Sequence, residues 1–151
     1  MRPPVTIRPF RLSDMERVLA IEQASFGEDA YDRKLFAGFL RTCGGLFLVA
    51  LRGKRLLGYM VTCVGARQAA VHAELISVAV DPPARGQGAA SLLMRSTLRR
   101  LRLRQVRRFT LVVRASNDTA RVFYERYGFT KVRRLPGYYD TEDGVSMRKL
   151  L

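Results

Sequence analysis

The stretch that decides the fold is Leu75-Ile76-Ser77-Val78-Ala79-Val80-Asp81-Pro82-Pro83-Ala84-Arg85-Gly86-Gln87-Gly88-Ala89-Ala90. Its first six residues are apolar apart from Ser77 and rich in β-branched side chains, which suits a buried strand. Asp81-Pro82-Pro83 cannot continue a central ladder, because proline has no N–H to donate. Gly86 and Gly88 then permit a tight turn, and Ala89 and Ala90 keep bulk out of it. A helical run follows to Leu103, with Leu92, Leu93, Leu98 and Leu101 toward the core. A small-residue turn that opens a helix lets backbone N–H groups approach an anion, and the helix dipole adds about half a positive charge there. Arg85 contributes a planar cationic fork. The turn reads as a pyrophosphate seat, although an ordinary strand–helix junction alone would look the same. It lacks the Gly-Lys-Ser/Thr of a P-loop and the Gly-x-Gly-x-x-Gly of a dinucleotide fingerprint.

Working outward, Val5 to Pro9 alternates as a first strand does. Ser13 with Glu16 forms a capping-box pattern for a helix running to about Ser25. Asp32 to Arg41 is a second helix, stopped by Gly44-Gly45. Leu46 to Ala50 and Leu56 to Gly65 make a hairpin around Arg52-Gly53-Lys54, and Ala73 to Val80 is the strand already described. Phe109 to Val113 is a further strand. Ser116-Asn117-Asp118 caps a helix from Thr119 to Tyr127, halted by Gly128. Phe129 to Arg134 and Val145 to Leu150 close the chain around a loop from Pro136 to Gly144. The order βααβββαβαββ predicts an α/β fold, a mixed central sheet with helices on both faces, in a single domain over residues 1–151.

Composition narrows the function classes. With 48% hydrophobic residues the chain can build a core, so disorder is not expected. No apolar run approaches the roughly 20 residues of a spanning helix, and no apolar segment follows Met1-Arg2-Pro3-Pro4, so no membrane or secretory role is expected. Cys43 and Cys63 fit no metal spacing and read as buried thiols. With His72 the one histidine, no metal site is expected and a cytoplasmic location is. Lys and Arg number 27 against 13 Asp and Glu, a net charge of +14 that attracts polyanions. Seven arginines lie between Arg95 and Arg108, at 95, 99, 100, 102, 104, 107 and 108. A solvated helix face is the plainer reading; electrostatic contact with RNA or ribosomal particles is the sharper one. No RRM, KH or zinc-knuckle pattern accompanies it.

Arg85-x-x-Gly88-x-Ala90 after Ala79-Val80-Asp81-Pro82 resembles the acyl-CoA motif of the GNAT superfamily of N-acetyltransferases. Asn117-x-x-Ala120-x-x-x-Tyr124-x-x-x-Gly128-Phe129 is similar to that family's second block. The resemblance spans essentially the whole chain. It implies splayed strands that admit acetyl-CoA, with Val78, Ala79 and Val80 offering backbone to the acetyl and pantetheine portion, partly through a β-bulge. It further implies that Arg85, Gly86, Gln87, Gly88, Ala89 and Ala90 hold the pyrophosphate, that Asn117 meets the pantetheine arm, and that Tyr124 lies near the thioester sulfur. A phenol with a pKa near 10 suits the protonation of a departing thiolate.

Ala-Val-Asp-Pro, Val113-Arg114-Ala115-Ser116-Asn117 and Gly137-Tyr138-Tyr139 are most like the ribosomal-protein-alanine (RimI-type) group. The acceptor implied is a protein N-terminal α-amine; a small-molecule amine, a lysine side chain, or a non-catalytic acyl-CoA or RNA-binding role stay open. Related enzymes often carry a glutamate base where this chain has Val112. Glu74, and behind it His72, are the substitutes, sharing one face of a strand, with an ordered water as the other route. The acceptor walls implied are Phe26 to Asp32, with Tyr31, and Gly137 to Asp143, with Tyr138 and Tyr139. Acids at the tip, Asp140, Glu142 and Asp143, are candidates to attract a protonated N-terminus. The chain is expected to be a monomer or homodimer.

Overall fold

The computed structural model describes residues 2–43, 46–65 and 72–151. Its strands are β1 (Val5–Pro9), β2 (Phe47–Arg52), β3 (Arg55–Val64), β4 (His72–Val80), β5 (Arg108–Arg114), β6 (Thr130–Tyr139) and β7 (Glu142–Leu150). The helices are α1 (Met15–Phe26), α2 (Arg33–Thr42), α3 (Ala89–Leu103) and α4 (Asp118–Arg126). The hydrogen-bonded order is β1-β2-β3-β4-β5-β7-β6. β4 and β5 are parallel, whereas β1–β2, β2–β3, β5–β7 and β6–β7 are antiparallel. This is the mixed α/β sheet that the order of sequence patterns predicted. The β4–β5 ladder is short: His72, Ala73 and Glu74 pair with Arg108, Phe109 and Thr110.

Two compact units divide the chain, Met1–Cys63 with Leu75–Arg104 and Val64–Glu74 with Gln105–Leu151. In the first unit β2 is buried on both faces, which explains its unbroken apolar run. Phe47, Val49, Tyr59 and Val61 pack with Met15, Val18 and Ile21 of α1 and Phe36 of α2. Phe10 stacks on Phe47 with centroids 4.1 Å apart. α3 packs on β1 and β2, and its Thr97 hydroxyl donates to the Met60 sulfur at 3.3 Å on the opposite side chain register of β3. Helices therefore cover both faces here. In the second unit Phe109, Leu111 and Val113 alternate inward along β5 and Val145 and Met147 along β7. Phe129 joins this core against Phe109 at 5.3 Å and Tyr124 at 5.7 Å.

Three expectations change. The first helix is not capped by Ser13 and Glu16. Leu12–Asp14 forms a short 3-10 turn, and the Asp14 carboxylate accepts from the Arg11 N–H at 2.8 Å and from Arg8 at 2.7 Å. A carboxylate with a guanidinium at hand is a stronger acceptor than a serine hydroxyl. Glu16 instead pairs with Arg33 on the surface. The Pro136 to Gly144 segment is not an open loop: β6 and β7 run on as a hairpin, Tyr139 opposite Glu142, with register irregularity between Leu135 and Tyr139. Cys43 and Cys63 are joined in a disulfide, their Cα atoms 4.4 Å apart. The Thr62 N–H donates to the Leu46 carbonyl at 3.0 Å and the Leu46 N–H to the Cys43 carbonyl at 3.4 Å, so β3 passes beside the cap of α2, a proximity that spacing in the sequence could not reveal. The Gly44-Gly45 stop lies outside the described residues, and the start of α2 is as expected, with Asp32 accepting from the Leu35 N–H at 2.9 Å.

Candidate active site

In the first unit, the end of β4 is anchored before the turn begins. Asp81 is buried and ion-paired with Arg17 and, at 3.4 Å, Arg55, while its N–H donates to the Leu57 carbonyl at 2.7 Å. Pro82–Ala84 makes one 3-10 turn. Gly86 and Gly88 then adopt φ of 80° and 87°, and a Cβ at either would meet nothing within 4 Å. The glycines are thus required by backbone conformation and leave the turn open. The first amides of α3 have no intrahelical partner, and no acidic side chain lies in that turn to compete for them. The side chains brace the turn. Arg85 donates from Nε to the Val80 carbonyl at 3.2 Å, with Nη2 at 3.5 Å from the Ser25 hydroxyl. Gln87 accepts from Arg52 at 2.9 Å.

Two features of β4 bear on Val78 to Val80. A Cβ at Gly58 would lie 2.7 Å from the Ala79 carbonyl oxygen and 3.2 Å from the Val80 Cα, so only glycine lets β3 approach there. Along β4, Ala73, Leu75, Ser77 and Ala79 are buried in a two-residue alternation, so Ala79 faces the core while Val78 and Val80 stand partly exposed on the other face.

Glu22 is the residue that sequence reasoning missed. It is 1% exposed and accepts hydrogen bonds from the Tyr59 hydroxyl, the Ser77 hydroxyl at 2.9 Å and the Tyr31 N–H at 3.0 Å. Its signal was present: Val18, Ile21 and Glu22 share one helical stripe, so a carboxylate stood on the buried face of α1. Tyr31 is partly buried, its ring edge-on to Phe36 at 6.2 Å and Phe39 at 5.5 Å.

In the second unit, Tyr124 is 7% exposed on α4. Burial, and then the neighbouring Tyr139, raise its pKa above the ordinary phenol value, so the ring stays protonated. Tyr139 donates to the Val112 carbonyl at 3.4 Å, and the Arg114 guanidinium sits 4.3 Å over its ring. Tyr138 lies edge-on to Tyr139 at 5.0 Å and is well exposed. Tyr124, Tyr139 and Val112 are therefore brought together. Asn117 caps α4, its Oδ1 accepting from the Ala120 N–H at 3.1 Å, which leaves the amide NH2 to donate elsewhere. His72 and Glu74 occupy one face of β4; His72 bonds the Thr110 hydroxyl at 2.9 Å, and Glu74 stands exposed in register with Thr110.

The acids of the hairpin are not available as expected. Glu142 accepts from the Ser116 N–H and hydroxyl, each at 3.0 Å, and pairs with Arg114 at 3.4 Å. Asp143 pairs with Arg134 at 2.6 Å and accepts from the Gly137 N–H at 2.8 Å. Only Asp140 of the three lacks such a partner among the described residues. No group of three or more His, Cys, Asp or Glu placed to hold a metal occurs among the described residues.

The family model described as "Acetyltransferase (GNAT) family" matches residues 13–129, which contain the β4 turn, Asn117 and Tyr124. The chain belongs to the GNAT acetyltransferase family. This GNAT chain is 34% identical to an uncharacterized N-acetyltransferase of Methanocaldococcus jannaschii, over 95% of this chain and 90% of that protein. Among solved structures it resembles Ard1 from Thermoplasma volcanium, with TM-score 0.91, 32% identity and 97% of each chain covered. It also resembles the ribosomal-protein-S18-alanine N-acetyltransferase from Escherichia coli, with TM-score 0.84 and 27% identity over 97% of this chain and 94% of that one.

Proposed function

We propose that residues 1–151 form one acetyltransferase domain that moves the acetyl group of acetyl-CoA to a primary amine, the N-terminal α-amine of a protein such as a ribosomal protein. The observation that carries this reading is a buried tyrosine, Tyr124, kept protonated beside the half-buried Tyr139, which packs edge-on against the exposed Tyr138. The residues fit the co-substrate: Gly86 and Gly88 leave an open turn whose helix amides face no competing acid. Arg85, Gly86, Gln87, Gly88, Ala89 and Ala90 would seat the pyrophosphate, chiefly by backbone. Val78, Ala79 and Val80 would offer backbone groups to the acyl arm, and Asn117 its free amide. Acetyl-CoA supplies an activated acetyl thioester. The likeness to the ribosomal-protein-S18-alanine N-acetyltransferase of Escherichia coli supports an α-amine acceptor.

The protein's own contribution is to orient the amine, take its proton and hold one for the departing sulfur. Tyr124 serves the last task. The burial that keeps its proton in place also makes it a weaker acid, so it acts mainly as a hydrogen-bond donor to developing thiolate charge. Glu74 is the proton acceptor, with His72 as the alternative and a water path behind both. Tyr31, Tyr138 and Tyr139 line the acceptor. Val112, which offers no proton acceptor, favours a second reading in which the chain binds acyl-CoA without turnover. Thiol release from acetyl-CoA with a panel of N-terminal peptides decides between them: release that depends on a free α-amine supports the enzyme, and binding without release supports the sensor.

The partner and compartment follow as part of the same proposal. Arg95, Arg99 and Arg100 of α3 line a shallow groove of about 460 Å³ with Thr6, Ile7 and Ser96. That basic face fits electrostatic contact with RNA near a ribosomal substrate. The protein acts in the cytoplasm as a monomer or homodimer. No described helix is long and apolar enough to cross a membrane.

A further inference from the structure

Glu22 has no cationic partner among the described residues, although 1% exposure leaves its carboxylate almost dehydrated. Such a group persists only when hydrogen bonds satisfy it, and here three donors from three different segments do so. Oε1 takes the hydroxyls of Tyr59 on β3 and Ser77 on β4; Oε2 takes the backbone N–H of Tyr31. Ser77 lies on the buried face of β4, beside Val78. Tyr31 follows the 3-10 turn Gly27–Asp29 that leaves α1. One carboxylate thus ties the acyl-CoA strand to the segment carrying Tyr31.

We infer that Glu22 is a positioning residue for the acceptor, fixing Tyr31 against β4 through the Tyr31 N–H. The inference rests on the reading of Tyr31 as an acceptor wall. Moving that segment would leave a buried carboxylate oxygen and a backbone N–H unpaired together, so the wall is held in one place. Glutamine can replace the function. Its carbonyl oxygen can accept from Tyr31 while its NH2 donates to the Tyr59 and Ser77 hydroxyls, which accept as well as donate. Alanine removes every acceptor.

The test compares wild type, Glu22→Gln and Glu22→Ala by steady-state kinetics with an acceptor peptide, by acetyl-CoA affinity and by melting temperature. Glu22→Ala is expected to raise the acceptor KM about tenfold or more, the loss typical of one buried hydrogen bond. Acetyl-CoA affinity should stay within about threefold, and Glu22→Gln should restore acceptor KM to within about threefold of wild type. If Glu22→Ala does not fold, Glu22→Met, which fills the volume without an acceptor, is read in its place. A folded Ala or Met variant with unchanged acceptor KM, or a Gln variant as impaired as Ala, overturns the inference alone. A wild type that acetylates no peptide overturns it together with the acceptor reading.

Discussion

Tyr124 shows how burial selects chemistry at the scale of one residue. Enclosure against Phe129 and proximity to Tyr139 disfavour the phenolate, so the folded pKa exceeds the ordinary value of 10. The sign follows: the neutral ring is retained as pH rises through 10, and Tyr124 adds no alkaline limb to activity below that pH. Tyr124→Phe should therefore lower kcat about 100-fold or more at every pH from 6 to 9. Acetyl-CoA affinity should change little. Equal kcat in both proteins would remove the role from Tyr124. This residue was legible in sequence because it stands in a spaced block with Asn117 and Gly128. Glu22 was not, because a carboxylate on an apolar stripe becomes meaningful only when Tyr59, Ser77 and Tyr31 are seen around it. Val112 was legible as a departure, yet its consequence depends on Tyr139, which reaches it from β6 and lies under the Arg114 guanidinium.

At the scale of elements, strands and helices were readable where local chemistry decides them. β1, β4 and α3 begin or end within a residue or so of their expected bounds, since proline, glycine and alternation act locally. The cap of α1 and the pairing of the β6–β7 hairpin were not, because both depend on side-chain ion pairs that no spacing rule shows: Arg8 with Asp14, Arg114 with Glu142 and Arg134 with Asp143. The hairpin pairing has a pH consequence. Hydrogen bonds from Ser116 lower the pKa of Glu142, and those from Arg134 and Gly137 lower that of Asp143. Lowered folded values stabilise the hairpin above the ordinary values of 4.5 and 3.8, and that contribution is lost as pH falls through the folded ones. Amide exchange across Tyr138 to Gly144 should therefore accelerate on acidification below about pH 4, more than exchange in β2 after correction for intrinsic rates; equal acceleration would contradict the assignment. β4 makes a different prediction. Gly58→Ala would press a Cβ onto the Ala79 carbonyl, forcing Val78 to Val80 to shift. A melting temperature lowered by a ΔΔG of about 1–3 kcal/mol and weaker acetyl-CoA binding are expected; unaltered binding would separate β4 from the cofactor.

For the molecule as a whole, a net charge of +14 and the α3 arginines make polyanion contact a matter of counterion release. Binding to structured RNA should weaken linearly in log–log salt. Replacing Arg95, Arg99 and Arg102 by alanine should reduce the slope by about 2–3. A slope unchanged by the triple variant would return the arginines to a solvated face. Fold class was legible because the strand, proline pair, glycine turn and helix appear in one continuous stretch, and a second spaced block agreed with it. The acceptor was not, because the residues proposed to meet it, Tyr31 and the Tyr138–Tyr139 pair, stand in segments far apart in the chain. The most direct test of acetyl transfer to an α-amine is mass spectrometry on N-terminal peptides incubated with protein and acetyl-CoA, with fragment ions locating any added acetyl. The account predicts one acetyl on the α-amine and none on a peptide whose α-amine is already blocked. Acetyl found on lysine alone, or on no peptide while acetyl-CoA binds, would contradict it.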